Sequence, residues 1–422
     1  MQLAGKDNQP GDDMAQPQLT YCTNIHAGES WQQHLQSLRD CVPAIRERLG
    51  TSQLGIGLRL GGAAIESLQS PEAREELIDF MGEDYSVFTI NAFPFGPFHG
   101  EPVKENVYAP DWSTAERLDY TVKVAELLSP LVARHAGNNN FGSISTVPGT
   151  FKPLVKGREE AIRQNLVQCV ARLVQIKRDS GVEIALALEP EPYCMLETID
   201  ETVDWFKNYG FSKESCNQLA NLSGVSPSEA DQLLRTHLGV CYDVCHAAVE
   251  FEDARASFAD LKSAGITIPK VQLSSALRVR KMDRETAVKL SEFNEPVYLH
   301  QVIQRADMKH QSSHELQSLT RHLDLPQALK ELENGVGVDS EWRVHFHVPV
   351  FLDVLEHFDT TQFFLKEVLA ELRENAVSPH LEVETYTWDV LPEKLRTSDI
   401  ATAIAREMTW VLDELQCKPA HS

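Results

Sequence analysis

The stretch Leu238 to His246, LGVCYDVCH, sets a carboxylate and an imidazole three residues apart at the end of an apolar run. A short buried strand would deliver Asp243 at its C-terminal end. The loop that follows would swing His246 back over the same mouth. A carboxylate and an imidazole so placed suit a hard or borderline divalent cation. An ordinary strand end with a helix-capping Asp uses the same residues. The flanking Cys241 and Cys245 read first as buried thiols.

Other apolar runs end in similar chemistry. LTYCTNIH, from Leu19, carries Asn24 and His26. SVFTINAF, from Ser86, carries Asn91, and His99 sits in the Pro/Gly/aromatic loop PFGPFHG that follows it. VEIALALE ends in Glu189, with Glu191 and Glu197 close behind. ITIPKVQL brings Gln272, then Ser274 and Ser275. HLEVETYT puts Glu382 and Glu384 on one face by the period of two, with Glu384 nearer the C-terminal mouth. In WRVHFHVPVF, His345 and His347 alternate on one face. Bringing several carboxylates together is unfavourable unless something positive pairs with them. Arg59, Arg278 and Arg280 are the cationic candidates, and a divalent cation is the simpler compensation. Glu189, Asp243 and Glu384, with an amide oxygen or an imidazole, would form an oxygen-rich site for Mn, Mg, Zn or Fe. Singly, each of these residues also fits a cap, an ion pair or rim packing.

These side chains need a scaffold that gathers strand ends. Eight strand-like runs begin near residues 19, 54, 86, 141, 182, 238, 266 and 380, and most lead into an amphipathic helical segment. Helix starts are marked by Ser30, by Ser70 before Pro71, by a Ser113–Glu116 capping box, by Thr198 with Glu201, and by Ser226 before Pro227. Eight such units predict a (β/α)8 TIM barrel, whose chemistry sits at the C-terminal ends of the strands. A doubly wound sheet is the alternative, but no GxGxxG or GxxxxGK[ST] loop supplies its usual cofactor reason. Residues 1–18 read as a disordered polar lead. Residues 19–422 read as a single barrel domain with helical insertions at about 211–236, after strand 5, and 276–338, after strand 7.

The net charge of −23 argues against nonspecific binding to nucleic acid or anionic membrane. No stretch approaches the ~20 apolar residues of a membrane span, and no signal core opens the chain, so the cytoplasm is the expected location. The eight cysteines form no CxxC pair.

With these residues in hand, the chain resembles the xylose-isomerase-like TIM-barrel superfamily of sugar epimerases, hydroxypyruvate isomerases and endonuclease IV type phosphodiesterases. The resemblance implies metal ligands at Glu189 in LALEPEP, Asp243 and His246 in YDVCH, and Glu384 in VETYTW. It places His347 of RVHFHVPVF in the histidine position of a loop after strand 7. Two departures are evident: Gln272 stands where a strand-7 His is expected, and His345 where Asp is usual. Arg278 matches an arginine that grips substrate hydroxyls. The segments LTYCTNIHAGESW, NAFPFGPFHG, LEPEPY, YDVCHAAVEFE and HLEVETYTWDVLP also resemble the EboE group of metabolite-traffic proteins.

The expected function is that of a divalent-metal isomerase or epimerase acting on a small polar metabolite. Glu189 and Glu384 would ligate and also move a proton, His246 would orient a ligand, and Gln272, His345 and His347 would complete the metal set. His26, Asn91, His99 and Arg278 would meet the substrate. A metal-dependent phosphoesterase and a noncatalytic metabolite carrier or scaffold are the alternatives. The aromatic loop 93–98 reads as a lid or a core seal, and the 276–338 insertion as a dimer arm or second lid.

Overall fold

Eight parallel strands form where the apolar runs predict them: β1 (Gln18–Tyr21), β2 (Leu58–Arg59), β3 (Thr89–Asn91), β4 (Phe141–Thr146), β5 (Glu183–Leu188), β6 (Leu238–Asp243), β7 (Lys270–Leu273) and β8 (His380–Val383). This computed structural model describes residues 17–100, 102–135, 140–306, 319–391 and 398–416. The first sixteen residues of the expected N-terminal lead lie outside that set. The strands make one curled sheet in the order β1-β8-β7-β6-β5-β4-β3-β2. Its two edges meet just beyond β1, where Thr23 N donates to Gly57 O (2.8 Å) and Gly57 N donates to Tyr21 O (3.0 Å). Gly57 is needed there, because a Cβ at that position would lie 1.8 Å from Glu382 Oε1.

The helices start largely at the predicted caps. Ser30 and Gln33 form a capping box for Trp31–Leu49, and Ser70 caps Pro71–Met81. Thr198 caps Ile199–Trp205, and Ser226 caps Pro227–His237. The box expected at Ser113 shifts by one residue: Thr114 is the cap of Ala115–Ala133, and Ser113 instead bonds Asp111. Leu, Ile and Val side chains between helices and sheet make the main core.

Inside the sheet's curl the side chains are polar. Lys270 Nζ lies 2.5 Å from Glu382 Oε2, and both side chains are fully buried. The same ammonium donates to Ser145 Oγ (3.1 Å), and Ser143 Oγ meets His380 Nδ1 at 2.8 Å. Period-two alternation puts Lys270 with Gln272, and His380 with Glu382, on this inner face.

The insertion after β7 is not chiefly helical. Among the described residues it holds two α-helices, Arg284–Leu290 and Leu325–Glu333, but its frame is a second sheet of six antiparallel strands. In order across that sheet these are Leu319–His322, Val302–Arg305, Glu341–Val348, Ser275–Val279, Phe358–Thr360 and Val354–Leu355. The long central strand explains why. Trp342, Val344, Phe346 and Val348 alternate with Arg343, His345 and His347, a period of two that pairs with Val302–Arg305 on one side and Ser275–Val279 on the other. The pieces after β5 (Lys213–Ser223 and Pro227–His237) are helical as read. Among the described residues, no helix is long and apolar enough to cross a membrane.

Candidate metal centre

Three carboxylates converge at the mouth of the curled sheet. Glu189 follows β5 directly, its N donating to Thr146 O (3.1 Å). Asp243 ends β6, and Glu384 follows β8, its N donating to Leu273 O (3.0 Å). One oxygen of each lies within 4.8 Å of the other two. Glu384 Oε1 accepts from Asn24 Nδ2 (2.7 Å) and Asn91 Nδ2 (2.9 Å), which fixes that carboxylate's plane. Asp243 is both things the sequence allowed. Its Oδ1 accepts from His246 N (3.1 Å) and caps the short helix Val244–Val249, while its Oδ2 is buried with no partner. Glu189 Oε2 is likewise buried and unpartnered. Burial, and then the neighbouring Asp243, push the Glu189 carboxyl well above its usual range. Burial, then Glu189 and Asp243, do the same to Glu384. Gln272 adjoins Asp243 and Glu382 in the strand register, and its Oε1 accepts from Cys241 Sγ (3.1 Å).

Beside the carboxylates, three imidazoles point at one another. His246 Nδ1 donates to Pro190 O (3.0 Å), and His347 Nδ1, which also lies 2.9 Å from Ser274 Oγ, donates to Glu384 O (3.0 Å), a carbonyl that can only accept. His345 Nδ1 donates to Gln301 Oε1 (2.6 Å), since the Gln301 amide nitrogen is already donating to Tyr108 Oη (2.9 Å) and Pro192 O (3.2 Å). With every Nδ1 proton placed, each neutral ring keeps a lone pair on Nε2. Those Nε2 atoms face each other, at 3.0 Å for His246–His345 and 3.1 Å for His345–His347. Burial pushes His246 down to about 3 and His347 to about 4, and it lowers His345 well below the usual imidazole range. Protons therefore do not fill the gap near neutral pH. Converging lone pairs repel unless a cation lies between them, and Nδ1–H bonds to backbone and amide oxygens are the outer partners that orient ligating histidines. Asp243 stands with His246 and His347, Glu191 with His246 and His345, and Cys245 with His345 and His347, each trio having donor atoms within 4.8 Å. The donors present thus fit a divalent ion at both clusters.

A cavity of about 50 Å³ opens over this floor. Asn91, Glu189, His246, His345, His347 and Glu384 line it, together with Asn24, Glu191, Tyr108 and Tyr386. Three expected substrate residues are elsewhere. His26 lies in a separate small pocket beside the Trp31–Leu49 helix, and its Nε2 meets Tyr21 Oη at 3.1 Å. His99 is turned against the Phe98 ring and does not line the cavity. Arg278 is on the second sheet, held by Glu341 through Nε (2.8 Å) and Nη2 (3.2 Å) and stacked over Phe363. The reason is common to all three: loop and insertion paths, unlike strand ends, do not tell which way a side chain faces.

Sequence reasoning overlooked Lys270, although it sits two residues before Gln272 and so shares its inward face. It also gave no role to Glu191, whose carboxyl burial pushes up to about 8 although Tyr108 Oη donates to it at 2.9 Å. Tyr108 and Gln301 carry no local signal. They are 193 residues apart in the chain and meet only in the fold.

No family model matches the chain, and no curated protein matches it in sequence. In structure it is similar to a D-tagatose 3-epimerase-like protein at 11% identity, with 94% of this chain and 97% of that one covered and a TM-score of 0.46. It is also similar to the 3-keto-D-glucoside 4-epimerase of E. coli (12%, 94% and 99%, TM-score 0.41). A third is the IolI protein with a bound zinc atom (14%, 94% and 97%, TM-score 0.42). At such identities and scores no chemistry carries over from them.

Proposed function

We propose that the edge-to-edge bonds at Gly57 close the sheet into a (β/α)8 barrel, and that the protein is a divalent-metal enzyme of the isomerase or epimerase kind acting on a small molecule at the barrel mouth. The observation that carries this reading is the pair of buried, unpartnered carboxylate oxygens of Glu189 and Asp243, set beside Glu384. Glu189, Asp243 and Glu384, with Gln272 adjacent, would hold one ion, and His246, His345 and His347 a second. Ions there would act as Lewis acids on a substrate carbonyl or hydroxyl. Glu189 and Glu384 would take a proton from the carbon beside that carbonyl and return it. Asn24 and Asn91 keep Glu384 aimed while it does so. Asn91 is the one retained member of the substrate-contact set read from sequence. The EboE resemblance agrees with a role in processing a modified metabolite, in whatever compartment the protein works.

Elemental analysis tests the metal, and Glu189→Gln tests the chemistry. Purified protein should hold one to two divalent ions per chain, and Glu189→Gln should abolish exchange of a substrate's carbon-bound hydrogen with solvent. Metal-free protein of full activity, or full activity in the variant, would overturn the reading. A second reading, metal-dependent phosphoester hydrolysis, is favoured by one feature, the imidazole trio adjoining the carboxylates, since paired ions suit in-line displacement. His345→Asn with His347→Asn should remove one ion equivalent. Loss of phosphatase activity with that ion would choose this second reading.

A further inference from the structure

The cavity is divided. Its carboxylates and imidazoles lie on the floor, at and beside the strand ends, whereas the loops above contribute mostly hydrocarbon: Phe93, Pro94, Phe98, Val103, Val107 and Leu299 cannot hydrogen-bond through their side chains, and the polar atoms among them are the Tyr108, Tyr298 and Tyr386 hydroxyls and the Lys104 ammonium. Above the floor, Phe98, Tyr298 and Tyr386 pack edge to face or tilted, with centroids 5.1 Å (Phe98–Tyr298), 5.2 Å (Phe98–Tyr386) and 5.0 Å (Tyr298–Tyr386) apart. Tyr386 also lies 4.6 Å from the His347 ring, so this aromatic group borders the ion site directly. The lining's cationic side chain is Lys104, and it is already engaged: Nζ donates to Tyr298 O (2.6 Å), Asp324 Oδ2 (2.8 Å) and Glu295 O (3.5 Å). It has no bond to spare for a phosphate or carboxylate at the outer end.

A free sugar carries hydroxyls around its whole ring. Seated here, those on the outer side would lose water and meet hydrocarbon, at a cost for each unpaired group. A ligand with one oxygen-rich end and one apolar end has no such mismatch, and aromatic walls favour a flat ring stacked among them. We infer that the substrate is amphiphilic: a chelating hydroxy-carbonyl head for the floor, joined to an uncharged aromatic or hydrocarbon tail for the wall. This rests on the proposed metal centre, which supplies the head's partner.

Hydroxamates separate the two ideas, because the hydroxamate group chelates zinc whatever tail it bears. Zinc-loaded protein would be titrated calorimetrically with acetohydroxamic and benzohydroxamic acids. The phenyl tail should tighten binding roughly a hundredfold, the ratio expected for burying about one ring of apolar surface at ~25 cal/mol per Å². Phe98→Ala should reduce that ratio about tenfold. Val107→Asn, which changes the wall's polarity rather than its packing, should reduce it independently if Phe98→Ala fails to fold. Equal affinities for the two acids on zinc-loaded protein, or a ratio unchanged in both variants, would overturn the amphiphile while leaving the metal centre standing. Protein that holds no zinc would overturn the metal centre and this inference with it.

Discussion

Replacing Glu189 with Gln should stabilise the metal-free protein and destabilise the metal-loaded one. The donor oxygens of Glu189, Asp243 and Glu384 lie within 4.8 Å of one another, so each ionised pair would cost at least about 3.5 kcal/mol at an effective dielectric of 20. Three such pairs exceed what one nearby ammonium, Lys270, relieves, so the metal-free site keeps protons that ordinary carboxyls release. A proton that the fold keeps on Glu189 above the usual carboxyl range is one the unfolded chain releases, so it weakens the metal-free fold as pH rises. Gln has the same shape and no proton to keep. Metal-free Glu189→Gln should therefore be the more stable protein at pH 7, by up to roughly the cost of one such pair, about 3 kcal/mol. A raised carboxyl contributes fully below its unfolded value and loses that contribution as pH rises. The variant's advantage should therefore vanish below pH ~4.5 and grow towards neutrality. With zinc the order reverses, because a ligand is lost. Even outer-shell changes cost 10- to 100-fold in metal affinity, so the loss here should be at least about a hundredfold. Urea unfolding of chelator-treated protein from pH 4 to 7.5 measures the first effect, and zinc titration the second. A metal-free variant less stable than the parent at pH 7, or a difference that does not change with pH, would refute the charge-cluster reasoning.

Other consequences follow from the buried polar layers. Lys270→Met leaves the Glu382 carboxylate buried without its partner and should cost about 3–5 kcal/mol in denaturant unfolding, whereas Lys270→Met with Glu382→Leu should recover most of it. Gly57→Ala drives a methyl group to 1.8 Å from Glu382 Oε1 and 2.9 Å from Tyr21 O, and overpacking of that kind should cost about 2–3 kcal/mol, read as a lowered urea midpoint. Burial, then Lys270, push His380 down from 6.5 to about 3. The unfolded chain therefore gains that proton first, and stability should fall as pH drops from 6.5 towards 3, by up to about 1.4 kcal/mol per pH unit. His380→Gln should flatten that slope in acid unfolding curves.

Much of the framework was legible in the residues. Each of the eight apolar runs coincides with all or nearly all of one of the eight sheet strands, because period, length and helix caps are local properties that survive into the fold. Glu189, Asp243 and Glu384 converge because they share one rule: each stands at or just past the C-terminal end of a parallel strand, and such ends lie side by side. The same periodicity carried His345 and His347 to one face, though not the proton placement that aims their Nε2 atoms at His246. What the residues left open was everything decided across long separations. Arg278 faces Glu341 rather than the mouth because its strand belongs to a second sheet whose pairing is set by Glu341–Val348, not by its own sequence. His26 and His99 were misplaced for want of a loop path. The outer wall joins a loop after β3 to residues 298–299 of the insertion, so its apolar character could not be read as a surface until the fold placed the two together. The strand ends are thus the sequence's contribution, through local periodicity. The cavity's division into a ligating floor and an apolar wall belongs to the tertiary structure, because only packing brings residues hundreds apart within reach of one ligand.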